Sequence, residues 1–463
     1  MEHPNAWNEY TNEQIAELET FCEGYRTFIS ANKTERECVT AAIEMAEAAG
    51  YVSLDEAVKG GSALKAGDKI YASNKGKTLM LVHLGTNPLE QGVNILGAHV
   101  DSPRLDVKQN PLDEKNEIAY LDTHYYGGIK KYQWVATPLA IHGVVALEDG
   151  STVSVVVGEE AGDPVFCISD LLPHLGREQM GKKLSDGIEG EMLDVIVGNK
   201  PLKLEKDAEE KRPVVAGILA LLDEKYGIAE EDLLSAELEI VPAGPARELG
   251  FDRALILGYG HDDRSCAYTS LVAQLECDVP ERTAVTLLVD KEEIGSFGAT
   301  GMRSRFFEDV MAEILTLAGE TDALALRRCL ARSNMLSSDV SAAYDPSFAS
   351  VYETKNSCFL GHGLTFNKYT GAGGKAGSND ADAEYVATIR RMMNGAGVHF
   401  QTAELGKVDA GGGGTIAFIL AEYGMNVIDC GVPVLSMHAP WEVASKADIF
   451  EAYRGYKAFL DLA

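Results

Sequence analysis

Five short segments of this chain carry acids and histidines of the kind that do hydrolytic chemistry. Gly97-Ala98-His99-Val100-Asp101-Ser102-Pro103 sets a histidine and an aspartate two residues apart at the end of an apolar run. Extended backbone turns side chains at that spacing to one face, so one can ligate a metal while the other orients that ligand. His261-Asp262-Asp263-Arg264-Ser265 puts adjacent acids between a strand-like and a helix-like run. They suit a carboxylate that bridges two cations, or acids that favour a helix dipole. Leu287-Leu288-Val289-Asp290-Lys291-Glu292-Glu293-Ile294-Gly295 ends an apolar strand in two glutamates. One can bind metal while the other serves as general base for water, or both can sit on a solvated loop. Leu336-Ser337-Ser338-Asp339-Val340-Ser341 offers a lone acid, and Val434-Leu435-Ser436-Met437-His438-Ala439-Pro440 a lone histidine. Each segment alone is compatible with a structural role. Together, two histidines, three carboxylates and two further acids suit two divalent ions. Imidazole and carboxylate fit zinc, and carboxylate oxygen also fits manganese or cobalt. Two such ions roughly 3.5–4 Å apart can activate a water at neutral pH.

The elements that must position these groups are read from periodicity. Residues 10–50 predict two helices, the first capped at Thr11 or Asn12, the second running from Thr34 through Ala48 with Gly50 past its end. Thr78–Leu84 and Val93–Val100 are apolar enough for buried parallel strands. From about 104 to 255 the pattern turns β-rich, with strands at Ile141–Leu147 and Thr152–Val157 and a charged loop from Lys203 to Arg212. Strand–helix alternation then returns: strands at Ala254–Leu257 and Ala284–Val289, and helices at Ser265–Leu275, Asp380–Asn394 and Thr415–Glu422. Ser378 and Asn379 are the expected caps of the fourth of these elements and Gly395 its stop. This is an α/β domain, 1–103 and 256–463, interrupted by a mostly β insert, 104–255. Ligands of open α/β sheets bind at strand ends, where the five segments fall.

The chain has 463 residues, enough for two domains, and 41 basic against 71 acidic side chains leave a net charge of −30. A nucleic-acid reader needs a basic face and an anionic membrane attracts one, so neither partner is expected. Eight scattered cysteines form no Cys-x-x-Cys pair, which argues against a thiolate zinc site and for reduced thiols in a cytoplasm. The N-terminus shows no signal peptide, and the longest apolar run, Val214–Leu222, is far too short to span a bilayer. Asp409-Ala410-Gly411-Gly412-Gly413-Gly414-Thr415 lacks the lysine of a phosphate-binding P-loop and is read instead as close backbone approach at an active-site wall.

The ordered set Ala98-His99-Val100-Asp101-Ser102-Pro103, Asp262-Asp263-Arg264, Glu292-Glu293-Ile294-Gly295, Ser338-Asp339 and Ser436-Met437-His438 resembles the aspartyl-aminopeptidase family of co-catalytic zinc metallopeptidases, over residues 10–460. The resemblance implies an α/β/α catalytic domain with a dimerising insert and two zinc ions, cobalt or manganese being substitutes. It implies His99, Asp262, Glu293, Asp339 and His438 as metal ligands, with Asp262 bridging and Asp263 the runner-up. Asp101 would orient His99, and Glu292 would be the general base. The substrate would be a small peptide with a free N-terminus. Related enzymes assemble from dimers into a dodecamer, in which an insert histidine reaches a neighbour's site; His174 matches it. Eukaryotic relatives recognise an acidic N-terminal side chain through Lys-x-Asn. The lysine position is Thr365 here, with Lys368 and Lys375 as the alternative charges. A deacylase or carboxypeptidase on the same scaffold, or a non-catalytic assembly protein, are the competing functions.

Overall fold

The computed structural model describes residues 4–61, 63–203 and 210–461. They form two compact units, one of residues up to Ser102, Ala246–Met437 and from Glu442 on, the other Pro103–Pro245 with His438–Trp441.

The first unit is built on a nine-stranded mixed sheet. Its strands are β1 (Val52–Ser53), β2 (Lys69–Asn74), β3 (Thr78–His83), β4 (Asn94–His99), β5 (Ala284–Val289), β6 (Asn334–Ser338), β7 (Leu364–Asn367), β8 (Phe400–Thr402) and β9 (Asn426–Gly431), in the order β1-β2-β3-β5-β4-β6-β9-β7-β8. β5, β4, β6 and β9 run parallel, so their C-terminal ends share one edge. β3, β4 and β5 are buried along their whole length, which explains their continuous apolar sequence. The apolar run predicts a parallel β3, but the strand runs antiparallel to both β2 and β5, because burial on both faces and not strand direction makes a strand continuously apolar. Helices cover both faces. On one lie α1 (Asn12–Ala31), α2 (Glu35–Ala48), α3 (His261–Leu275), α4 (Ala383–Ala396) and, from Lys446 to Leu460, the C-terminal helix. Side chains of Phe306–Leu317 and Ala325–Ala331, with those of the short helix α5 (Ala417–Ala421), fill the other. Thr11 and Thr34 close capping boxes with Gln14 and Glu37.

Helix α4 begins at Ala383, not Asp380, because the expected caps are engaged elsewhere. Ser378 Oγ accepts from Thr370 N, Asn379 Nδ2 donates to Val427 O, and Asp382 takes the N-cap position. α5 likewise is shorter than Thr415–Glu422, since Thr415 gives its hydroxyl to Asp429.

The second unit is a six-stranded antiparallel sheet, in the order Thr152–Val157, Leu139–Ala146, Ala236–Pro242, Arg104–Lys115, Ile118–Tyr126, Val195–Gly198, with a helix at Pro213–Tyr226. Its later boundary falls at Pro245 rather than 255. Arg247–Leu249 and Leu255–Gly258 belong to the first unit, where the latter pairs with Glu442–Ser445 in a separate five-stranded sheet. Positions 204–209 of the expected charged loop lie outside the described residues. All eight cysteines are free, seven of them buried. Among the described residues no helix is long and apolar enough to cross a membrane.

Candidate active site

His99 is the last residue of β4, and Asp339 follows β6 directly. Pairing of the two strands sets Gly97 beside Ser337, and both ligand candidates lie two residues further on. Alternation therefore turns His99 and Asp339 to one face, the face of Met335 and Ile416, which close over Gly97. A Cβ on Gly97 would sit 2.5 Å from Met335 Cε, so a larger residue there would have to displace the end of the Met335 side chain.

Asp262 and Asp263 open helix α3 across a cis peptide, with non-helical dihedrals at both. Gly260, at φ 76°, makes the turn into them; a side chain there would strike Arg264. The backbone of Asp262 is held on two sides. Its N–H donates to Glu442 Oε2 at 3.0 Å and its carbonyl accepts from Ser102 Oγ at 2.7 Å. His99, Asp262 and Asp339 present ligand atoms all within 4.8 Å of one another, and Asp262 and Glu293 do so as well. Asp262 thus faces two groups of ligand atoms. Asp263 instead turns Oδ2 back to accept from His99 N at 3.2 Å.

The tautomer of His99 follows from its neighbours. Nδ1 lies 2.9 Å from the Asp101 carbonyl, which only accepts, so Nδ1 carries the hydrogen. Nε2 faces Asp262 Oδ1 at 3.2 Å. A ring nitrogen and a carboxylate at that distance share either a proton or a cation. Burial works to lower the His99 pKa, but Asp101, Asp262 and Asp263 outweigh it and hold it well above the usual value. Burial, and after it the carboxylates of Asp263 and Glu292, holds Asp339 well above the ordinary carboxylate range. Asp263 is raised first by burial as well. A nitrogen-and-oxygen donor set whose acids repel one another in a buried pocket fits a divalent cation.

Asp101 ties the site together. It is fully buried; Oδ1 accepts from Glu292 N at 3.1 Å and Oδ2 from Glu293 N at 3.2 Å. The turn that presents both glutamates is so fixed to the same carboxylate that lies 3.4 Å from His99 Nδ1. The turn starts from Lys291 at φ 68° and ends at Gly295 at φ 91°. Lys291 Nζ reaches back to Asp290 at 2.7 Å and Thr300 at 2.9 Å. Glu292 and Glu293 are both half-buried.

His261, beside the acid pair, is not a ligand candidate. Tyr25 and the Ile256 carbonyl occupy its two nitrogens, and burial lowers its pKa to about 4. His438 opens the segment His438–Trp441 of the second unit, directly after Met437, at φ 65°. Its Nδ1 donates to the Gly128 carbonyl at 2.9 Å, which leaves Nε2 as a lone pair. His174 lies in an exposed turn of the second unit. Thr365 is fully buried on β7, and Lys368 and Lys375 both pair with Asp380. The glycine-rich run does approach backbone closely: side chains on Gly411 or Gly412 would collide with the carbonyls of Leu405 and Gly371. Glu442 and Ser102, which hold Asp262, carried no sequence signal. Glu442 comes from a strand 180 residues away that only the five-stranded sheet brings near.

Comparison with known proteins bears on this geometry. The family model for the aminopeptidase I zinc metalloprotease (M18) matches residues 28–460. A curated relative from Clostridium acetobutylicum, named probable M18 family aminopeptidase 1, is 57% identical over 99% of this chain and 98% of its own length. The crystal structure of an M18 aminopeptidase from Thermotoga maritima superposes with a TM-score of 0.94 at 44% identity, covering 100% of this chain and 99% of its own. At 22% identity, the mApe1 dodecamer of S. cerevisiae shares the fold, with a TM-score of 0.76 over 96% of this chain and 97% of its own. The family model and the two relatives above 40% identity are described as aminopeptidases, which does not favour the deacylase or carboxypeptidase alternative.

Proposed function

We propose that this chain, which belongs to the aminopeptidase I zinc metalloprotease family (M18) and is a metal-dependent aminopeptidase, holds two divalent cations between its strand-end acids and histidines. His99 and Asp339 would hold one, Glu293 and His438 the other, and Asp262 both. Zinc fits this donor set best, with cobalt or manganese as substitutes. Bound there, the cations would make water more acidic and polarise the peptide carbonyl.

The chain's own residues do the rest. Glu292, held by Asp101, takes a proton on its carboxylate from the attacking water and passes it to the leaving amine. Asp101 fixes the backbone that carries that carboxylate and the His99 ring together. Asp263 holds the His99 backbone and leaves Asp262 as the shared ligand. The free α-amine of a peptide is a cation entering an acid-rich site, which accounts for a preference for unblocked N-termini. The observation that carries this reading is the gathering of His99, Asp262 and Asp339 ligand atoms within 4.8 Å of one another.

The second unit is the assembly surface. Leu171, Leu172, Leu175, Met180, Leu184 and Met192, all in that unit, expose 46–70% of their surface. A patch so apolar suits burial against another copy, in the dimers of a dodecamer. His174 lies within it and is then placed to reach a neighbour's site.

Glu292→Gln tests the catalytic assignment. Hydrolysis of an aminoacyl-p-nitroanilide should fall by about 10²–10⁴-fold, with the metal content, read by elemental analysis, unchanged at two per chain. A variant as active as the parent overturns the role of Glu292, and one metal per chain overturns the pair.

A further inference from the structure

The loop that follows the two glutamates holds an unusual cation. Arg303 is exposed, and its guanidinium carbon lies 4.7 Å from the centre of the Phe297 ring and 5.0 Å from that of Phe418. Two aromatic faces hold a guanidinium in one orientation while leaving its N–H edge free to donate. Its neighbours are committed elsewhere. Lys291 pairs with Asp290, and Arg305 with Glu308. Among the described residues Arg303 makes no ion pair.

Its place relative to the reacting groups follows from the backbone. Asp290 bridges Gly301 in parallel, so the chain leading to Arg303 runs beside the chain leading to Glu292. Ser296 accepts from Arg303 N at 3.2 Å, closing the loop on itself. Phe418 belongs to α5, which packs on the sheet face toward which alternation turns His99 and Asp339. Phe297 is 64% exposed and Ile294 46%, so the loop that runs from Glu293 to the cation carries exposed apolar side chains.

We propose that Arg303, stacked between Phe297 and Phe418, pairs with the free C-terminal carboxylate of short peptides and so sets a preference for di- to tetrapeptides. This rests on Glu292 and Glu293 marking the reaction centre. The chemistry is that of a guanidinium meeting a carboxylate through paired N–H donors. Peptides of two to four residues span roughly 7–14 Å, a reach on the scale of the short loop that ties Arg303 N to Ser296 O and Ser296 N to Lys291 O, next to Glu292. Longer peptides carry their carboxylate past it.

The test compares three substrates of one N-terminal residue on the metal-loaded enzyme: a tripeptide, its C-terminal amide, and the p-nitroanilide. In the parent, KM for the free acid should be about five- to twentyfold below that for the amide. Arg303→Gln should erase that difference by raising KM for the acid, with kcat and the anilide kinetics within twofold of the parent. Arg303→Lys should restore part of it, and the preference should vanish for peptides of eight residues. An acid-to-amide ratio that Arg303→Gln leaves unchanged, or a parent with no preference, overturns the assignment while normal anilide hydrolysis leaves the reaction centre standing. A parent that splits none of the three overturns both.

Discussion

Replacing Asp101 by asparagine tests whether one buried carboxylate positions the catalytic turn. The change keeps shape and removes charge and one acceptor. In the native site the two oxygens accept from Glu292 N and Glu293 N at 3.1 and 3.2 Å. A carboxamide has one acceptor and one NH₂ group, so one of those N–H groups would face a donor. Hydrogen bonds to a charged group contribute about 1.5–3 kcal/mol. One such bond is lost and the other falls to a neutral bond of about 1 kcal/mol. The turn is then weakened by about 2–5 kcal/mol, and since it presents the general base, kcat/KM should drop roughly 30- to 5,000-fold. Metal affinity should suffer less, by about tenfold, the low end for a partner standing behind a ligand. The reason is that His99 Nδ1 donates to the Asp101 backbone carbonyl, which the substitution retains. The assay is anilide hydrolysis at saturating zinc, paired with a chelator competition for zinc. Hydrolysis within threefold of the parent, or a loss that zinc alone restores, would refute the positioning argument.

Three further outcomes follow from the same geometry. Asp429, buried on β9, has its pKa pushed up to about 7 by burial, with Thr415 and Ser337 opposing. The folded chain therefore holds this proton up to about pH 7 while an unfolded aspartate releases it near ~3.9, so stability falls as pH rises through that window. Asp429→Asn should gain stability over the parent at pH 8 relative to pH 5, by no more than about 3 kcal/mol in urea unfolding; an equal offset at both pH values contradicts this. Introducing Leu175→Glu with Met180→Glu, at side chains 69% and 70% exposed, should shrink the particle in sedimentation velocity while changing the isolated chain's stability by less than about 0.5 kcal/mol. An unchanged particle size removes these residues from the interface. Stripping the metal should widen the melting-temperature gap to the loaded enzyme as pH rises from 5 to 8, because Asp263 and Asp339 have raised pKa values and lose stability on ionising. A gap that stays constant across that range counts against these acids as the metal site.

What could be read from sequence was what local patterning controls. β5 falls at Ala284–Val289 and Thr152–Val157 is a strand, both as the apolar runs indicate, and Thr11 and Thr34 cap their helices. The two readings of the aspartate pair needed coordinates, because adjacent residues differ only in which way the turn after Gly260 aims them. Position 255 fails as a boundary since strand pairing across the chain, Leu255–Gly258 with Glu442–Ser445, leaves no local trace. The helix expected at Asp380 fails for a similar reason: Ser378 and Asn379 are good caps, but tertiary partners claim them first. Lys368 and Lys375 were open as specificity charges in sequence and are bound to Asp380 in space.

The charge balance of the first unit links the metal count to the substrate. Eight carboxylates gather around the reaction centre: Asp101, Asp262, Asp263, Asp290, Glu292, Glu293, Asp339 and Glu442. Arg264 and Lys291 lie among them, which leaves six formal negative charges before the protons that the raised pKa values of His99, Asp263 and Asp339 bring in. Burying unbalanced acids costs several kcal/mol each unless they take up protons or meet cations. One divalent ion would leave four, still enough to force protonation onto the groups meant to act as ligand and base. Two leave a modest excess that a carboxylate with a raised pKa, or an arriving ammonium, can settle. Only a substrate with a free amine brings that positive charge with it; an acylated peptide does not. With two metal ions bound as proposed, the remaining excess of acid would favour a substrate that brings a free ammonium, which is the electrostatic side of an aminopeptidase's preference.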